Sequence, residues 1–381
     1  MFTSNLIERI GLDRTVLSGF RIISIDFEKL LKCDNAVIDR EGKFTYLLNN
    51  GESFRWMKIE DRKMFGTLCA GVKKEKYFKI DYARIDICIG NSYQSNLQNL
   101  TVIEYKQRIK EVFHYLCDVY GVVADMREIR LSEMEINCTF QLKGEFFKYH
   151  RVLRLMMFNL PKSFRKMGQV QNVNKKENRL ESETFYRGNT LTEIKIYDKA
   201  KQLEDTGHFV DKENIIRIEF VLKKPQKIRE VFNSALAADL SDKKINEFYY
   251  EQFIKLFEKP YQKWEIENGK QLMEMIICHK RKSKRYWKSN LLRECANREQ
   301  IDQIPVLLDV KHLLIQVKAL DKDGHYKRVE NGILKQCNYN DIYLQDDSDK
   351  IKEILDRVHE IYNNYENNVL EHDSVICGDV A

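Results

Sequence analysis

Hydrophobic and polar residues alternate with two different periods along this chain, and the change of period divides it. In the first half, runs of period two predict strands at Phe44–Leu48, Tyr77–Asp81, Ala83–Gly90 and Leu131–Phe140. Between them Val102, Tyr105, Ile109, Val112, Phe113, Leu116 and Val119 recur at helical spacing, which predicts an amphipathic helix over Thr101–Tyr120. A second helical pattern, Glu145–Leu160, is stopped by Pro161. Lys162–Arg179 is rich in Lys, Arg, Asn and Gln and reads as an exposed basic loop. A hairpin is predicted next, from Glu183–Arg187 through a turn at Gly188–Asn189 into Thr190–Lys199, followed by a strand at Ile215–Lys223 before Pro225.

Beyond about residue 235 the pattern turns helical. Lys243–Glu258 is expected to stop before Pro260, and Trp264–His279 forms a further candidate. The apolar run Pro305–Val317 suits a buried helix or strand, and a last helix is expected to start at Ser348 as N-cap. The fold class predicted is α+β, an antiparallel sheet flanked by helices over residues 1–240 with a mostly helical C-terminal domain over 241–381.

Composition changes this picture in one respect. The 381 residues carry a net charge of only +6, but eleven acids face three bases from Asp341 onwards, which leaves the first 340 residues at +14. A basic body with an acidic tail points to a polyanionic partner, or else to a well-solvated surface. No window of about 18 apolar residues occurs, so no membrane partner is expected. The first 21 residues lack the apolar core of a secretory signal. Nine cysteines, scattered and without a C-x-x-C pair, suit reduced thiols in a cytoplasmic setting. Neither a phosphate-binding P-loop pattern nor G-x-G-x-x-G is present, so no nucleotide cofactor is expected.

Three strands carry the candidate chemistry. Period two places Glu133, Glu135 and Asn137 on one face of Glu133–Phe140, Glu193, Lys195, Tyr197 and Lys199 on one face of Glu193–Lys199, and Arg217, Glu219 and Lys223 on one face of Arg217–Lys223. A solvated face of an antiparallel sheet alternates in the same way. If the strands are neighbours, however, Glu135 and Glu219 form a hard-oxygen pair for one divalent cation. Tyr197 could then reach a phosphate polarised by that cation. A phenol is a weak nucleophile at its free pKa of about 10, so a metal or a cation such as Lys199 is required beside it.

The segment Leu191–Glu204 (LTEIKIYDKAKQLE) resembles the nicking-tyrosine motif of rolling-circle replication initiators, with a Y-x-K core at Tyr197 and Lys199. Ile215–Lys224 (IIRIEFVLKK) is similar to the Arg-x-Glu strand that follows it in those families, and Leu131–Phe140 (LSEMEINCTF) to their upstream acidic strand. The likeness is to phage and plasmid replication proteins related to the gene II protein of filamentous phages. A more distant one is to replication initiation factors of Gram-positive plasmids and conjugative elements. It implies a palm-like endonuclease core that nicks origin DNA, single-stranded or extruded as a hairpin, through Tyr197. The products would be a 5′-phosphotyrosyl enzyme and a free 3′-OH primer. It further implies Mg²⁺ or Mn²⁺ at Glu135 and Glu219, with Lys199 and Arg217 stabilising phosphate charge. Host helicase or polymerase would be further partners. Glu133 stands where relatives tend to have Arg, so Glu133 is an alternative ligand to Glu135. The His-hydrophobe-His metal motif of many relaxases is absent, which requires a carboxylate-built site.

Candidate DNA contacts are Lys195, Arg151 and Arg154, Lys175 and Lys176 of the basic loop, and Arg281, Lys284, Arg285 and Trp287 of the run His279–Lys288. Two other readings share these residues: a conjugative or mobilisation relaxase with the same chemistry, and a non-catalytic DNA-binding protein of replication control.

Overall fold

A twelve-residue strand, Arg130–Gln141, forms the spine of the sheet in the computed structural model. The structure describes residues 6–378 apart from 42–43, 75–78, 89–96, 98, 165, 175–178, 206, 208–212, 321–324 and 341–342. In chain order the elements are β1 (Arg9–Ser18), β2 (Arg21–Ile25), α1 (Phe27–Leu31), β3 (Ala36–Asp39), β4 (Tyr46–Leu47), β5 (Ser53–Phe54), β6 (Trp56–Asp61), β7 (Gly66–Lys74) and β8 (Lys79–Cys88). There follow α2 (Val102–Tyr120), β9 (Val122–Asp125), β10 (Arg130–Gln141), α3 (His150–Phe158), β11 (Lys166–Asn174), β12 (Arg179–Gly188), β13 (Thr192–Asp198), α4 (Lys199–Asp205) and β14 (Ile215–Leu222). The rest is helical: α5 (Pro225–Phe232), α6 (Asp242–Phe253), α7 (Lys259–Lys282), α8 (Trp287–Asp302), α9 (Val310–Ala319), α10 (Tyr326–Asn340) and α11 (Asp347–Gly378).

The chain forms two compact units, one of residues 1–141, 188–249 and 364–381, the other of residues 142–187 and 250–363. Residues 142–187 thus belong with the second unit although they lie between stretches of the first in the chain. In the first unit, eight strands follow the order β13-β14-β10-β1-β8-β7-β6-β3. The three strands singled out from the sequence, β13, β14 and β10, are adjacent and antiparallel, with Tyr197 opposite Arg217, Lys195 opposite Glu219 and Glu219 opposite Asn137.

One face of this sheet is apolar, and helices cover it. Met134, Ile136 and Cys138 of β10 and Ile218 and Phe220 of β14 are buried there. Tyr249 of α6 donates its hydroxyl to the Ile218 carbonyl at 3.1 Å and meets the Phe220 ring at 4.9 Å. Tyr105 of α2 bonds Thr15 at 2.7 Å. α2 begins at a complete capping box, Thr101 with Glu104, which fixes where this helix enters the layer. The second unit has its own core, in which Leu272, Ile276, Trp287, Leu291, Leu313 and Ile333 are buried among α7–α10.

Several expectations need correction. The two strands expected at Tyr77–Asp81 and Ala83–Gly90 are one strand, β8, and their residues 77–78 and 89–90 lie outside the described residues. Lys162–Arg179 is not a loop, because β11 occupies Lys166–Asn174. Strand pairing uses backbone N–H and C=O groups, and a polar composition does not prevent it. The helix over 243–258 does not end before Pro260. A π-helical turn, Ile254–Glu258, leads into α7 with the proline in its first turn, where a missing N–H is tolerated. α11 starts at Asp347, one residue before the expected cap.

Arg151 is also corrected, since its environment is structural. Its Nε and Nη2 donate to the two Glu299 oxygens at 2.7 and 2.8 Å, its Nη1 and Nη2 to the Leu308 and Leu307 carbonyls, and its Nη1 also to the buried Asp347. All five N–H groups are committed, so none is left for DNA. Arg151→Ala is expected to destabilise the protein by about 3 kcal/mol, since it strips a buried acid of one of its two cations. Chemical denaturation measures this, and a loss below about 0.5 kcal/mol would contradict a structural role.

Candidate active site

The polar face of the sheet is built by an irregularity in β1. Leu12 pairs with Ile136 and Thr15 with Met134, so two residues of β1, Asp13 and Arg14, stand opposite the single residue Glu135. This is a β-bulge, and it breaks the alternation that would have sent Asp13 and Arg14 to opposite faces. Both therefore take part in one polar row. Asp13, Glu135 and Glu219 are all buried and offer carboxylate oxygens that lie within 4.8 Å of one another.

Tyr197 stands at one end of this row, 7 % exposed, and donates its hydroxyl to Glu219 Oε1 at 2.5 Å. Lys195 Nζ donates to Glu135 at 2.9 Å and lies 3.5 Å from Glu219 Oε2. Arg217, fully buried, donates to Asp13 at 2.6 Å, to Thr139 Oγ1 at 2.7 Å and to the Leu97 carbonyl at 3.2 Å. At the outer end Arg14 bridges Glu133 at 2.8 Å and Asp86 at 2.5 Å, and comes within 3.9 Å of Glu135. Near Arg217, Leu97, Ala200, Leu203 and Ile215 form a small apolar cluster over this face.

Burial and the neighbouring acids set the protonation states. Burial, then the Glu219 charge, lifts Glu135 to about 7 against the pull of Lys195. Burial raises the Tyr197 hydroxyl well above 10, with Glu219 adding to it and Arg217 opposing. Burial works against the Lys195 ammonium, but Glu219 and Glu135 outweigh it and hold the lysine charged.

The sequence-predicted residues separate clearly here. Tyr197, Glu135, Glu219 and Lys195 come together as expected. Glu133 does not join the acids; it is tied to Arg14. Lys199 leaves the strand face because α4 begins there, and its Nζ donates to Gln202 at 2.8 Å, 5.9 Å from the centroid of the Tyr197 ring. Arg217 positions Asp13 and, being wholly buried, has no face for a phosphate. Asp13 escaped the sequence reading, and only its place before a broken alternation, Ile10-x-Leu12 then Asp13-Arg14, signals it.

Among the proposed DNA contacts, Arg281, Lys284 and Arg285 are exposed at and just beyond the end of α7. Trp287 is corrected: it is 6 % exposed, part of the second unit's core, while Tyr286 beside it is 57 % exposed with Arg285 over its ring. Arg154 is half-buried near His150. Lys175 and Lys176 lie outside the described residues.

The donor set fits a hard divalent cation, since three carboxylates supply only oxygen. The charge balance fits too. Asp13, Asp86, Glu133, Glu135 and Glu219 are countered in direct ion pairs by Arg14, Lys195 and Arg217, which leaves two negative charges when all are ionised.

Among solved structures, the chain is similar to a rolling circle replication initiator protein from Geobacillus stearothermophilus, at 14 % identity and a TM-score of 0.36, over 65 % of this chain and 85 % of that one. No protein-family model matches the chain, and no curated protein matches it in sequence. The chemistry therefore rests on the residues themselves.

The raised Glu135 pKa gives a signed expectation for the metal-free protein. A carboxyl shifted from 4.5 to about 7 favours the folded state fully below 4.5, and that contribution is lost as pH rises through 7. Thermal melts at pH 5 and pH 8 without metal should show Glu135→Gln losing less stability than the parent over this interval. Equal losses would mean that Glu135 titrates normally.

Proposed function

We propose that this protein is a rolling-circle replication initiator that nicks origin DNA with Tyr197, producing a 5′-phosphotyrosyl enzyme and a free 3′-OH. One observation carries the reading: the Tyr197 hydroxyl hydrogen-bonds to Glu219, one of three carboxylates gathered closely enough to share a cation. A tyrosine on a merely solvated sheet face has no reason to be buried against clustered acids.

Attack by a phenol requires removal of its proton. Glu219 Oε1 already accepts the hydrogen bond from that proton, and so acts as the general base. The Tyr197 oxygen forms a bond to phosphorus while the bond from phosphorus to the 3′ oxygen breaks. The tyrosine proton passes to Glu219, and the departing 3′ oxygen takes up a proton as it leaves. Mg²⁺ or Mn²⁺ held by Asp13, Glu135 and Glu219 would neutralise phosphate charge and bring the Tyr197 pKa down. Arg217 keeps Asp13 aimed into the row, and Lys195 is the cation within reach of a phosphate there. Because Tyr197 is 7 % exposed, its cover has to open before DNA reaches it. Arg281, Lys284 and Arg285 with Tyr286 supply a basic, aromatic surface of the kind that grips a DNA strand in a salt-dependent way.

Lys195 favours a second reading. Lodged between Glu135 and Glu219, it neutralises the acids much as a cation would, which suits a non-catalytic DNA-binding protein. Incubation with supercoiled DNA of the parent replicon and Mg²⁺ or Mn²⁺, then denaturing gels, separates the two. The enzyme yields a metal-dependent nick with protein on the 5′ end; the binding protein yields neither.

Tyr197→Phe should abolish the covalent adduct while DNA binding changes less than about threefold. Full nicking by that variant would refute the assignment. Asp13→Asn should slow nicking on the order of 10²-fold and weaken metal binding. Undiminished activity would remove Asp13 from the site.

A further inference from the structure

The first unit holds a second polar feature, where β1 ends and β10 begins, on two of the three strands that carry the acids. A cavity of about 930 Å³ opens between the end of β1, the start of β10, the β4 segment and α5. That is near the top of the range of about 300–1,000 Å³ usual for small-ligand sites. Its fifteen lining residues include Arg21, Arg130 and Arg229 and no acid. Arg130 and Arg229 make no side-chain hydrogen bond or ion pair with any described residue, and Arg21 stands opposite Asp125 in the β2–β9 pair. The floor is apolar, from Phe20, Tyr46, Ala83 and Leu236.

The walls are fixed. Leu131 N donates to the Ala235 carbonyl at 2.7 Å and Ala237 N to the Ile129 carbonyl at 2.9 Å, which ties the loop after α5 to the start of β10. Ile22 N donates to the Tyr46 hydroxyl at 2.9 Å, holding that ring in place. Gly19, at φ +76°, leaves room for the Arg130 stem: a Cβ there would stand 3.3 Å from Arg130 Cδ. Two guanidinium groups without acid partners, with Arg21 as a third beside them, make this preformed cleft an anion site, and the apolar floor selects an anion attached to something less polar.

We propose that this cleft binds the phosphodiester backbone of a single nucleic-acid strand, with sugar and base against the apolar floor. The arginines come from β2, β10 and α5, so their charge is spread over three elements, which suits successive phosphates better than one. Arg130 and Glu135 are five positions apart on β10, roughly 17 Å, so the cleft is separate from the acid cluster. The inference does not depend on the nicking reading, and holds for a catalytic or a non-catalytic protein.

The test is calorimetric titration of the full chain with 5′-phosphorylated dithymidylate and with thymidine 5′-monophosphate. The dinucleotide should bind more tightly than the mononucleotide, and Arg130→Gln/Arg229→Gln should weaken it about tenfold or more. Glu135→Gln should leave that affinity unchanged, which places the ligand away from the acids. Thermal melting confirms that the double variant folds, and Arg229→Glu alone offers a second loss-of-binding variant. Absence of binding, equal binding by the double variant, or equal affinity for the mononucleotide would overturn the proposal.

Discussion

Three carboxylates buried within 4.8 Å of one another are an electrostatic problem that the surrounding sheet has to solve. Like charges at such spacing in a poorly solvated site cannot all ionise without compensation. The protein supplies three cations from three strands: Arg14 from β1, Lys195 from β13 and Arg217 from β14. Because Glu133 and Asp86 also draw on Arg14, five acids share these three cations and two negative charges remain unmatched. Glu135, buried and beside Glu219, shows the strain by moving up to about 7. A divalent cation would carry the missing charge, and protons would otherwise have to do so.

The geometry of that problem is set by one extra residue. Had β1 continued its alternation past Leu12, Asp13 and Arg14 would point to opposite faces, and one of them would enter the apolar layer beneath α2. The bulge sends both to the polar face. Asp13 meets Arg217 and closes the acid cluster, while Arg14 ties down Glu133 and Asp86 at the rim. The neighbouring residue then returns to the core, where Thr15 bonds Tyr105. Fold and site are thus joined in β1, because neighbouring residues of one strand anchor a helix and aim an acid.

This explains what the sequence revealed and what it concealed. Regular strands are legible because period two is a property of the chain alone. Period two accordingly places Glu135, Lys195 with Tyr197, and Glu219 each on one face of its own strand, and the adjacency of the three strands makes them neighbours. Asp13 was hidden because a bulge depends on the partner strand and leaves only a broken pattern. Lys199 was misplaced because period two was extended one residue too far, into the first turn of α4. Trp287 was misread for another reason. A Lys-rich segment with two aromatics does not say which ring faces the core, and here Tyr286 is exposed while Trp287 packs with Leu291 and Ile276.

The arginines carry the same lesson in terms of charge. Composition treats Arg151, Arg217, Arg130 and Arg281 as equal contributions to a basic body. Their surroundings sort them by how many acceptors each has found. Arg151 has all five donors satisfied and Arg217 is sealed beneath Asp13, so both act on the fold. Arg281 lies exposed where α7 ends, and Arg130 and Arg229 face an acid-free cleft. A guanidinium that has no carboxylate partner keeps its attraction for an external anion, and one that has its acids does not. The excess of +14 in the first 340 residues is therefore not a uniform attraction for a partner, since arginines such as Arg151 and Arg217 already spend their charge on acids of the fold.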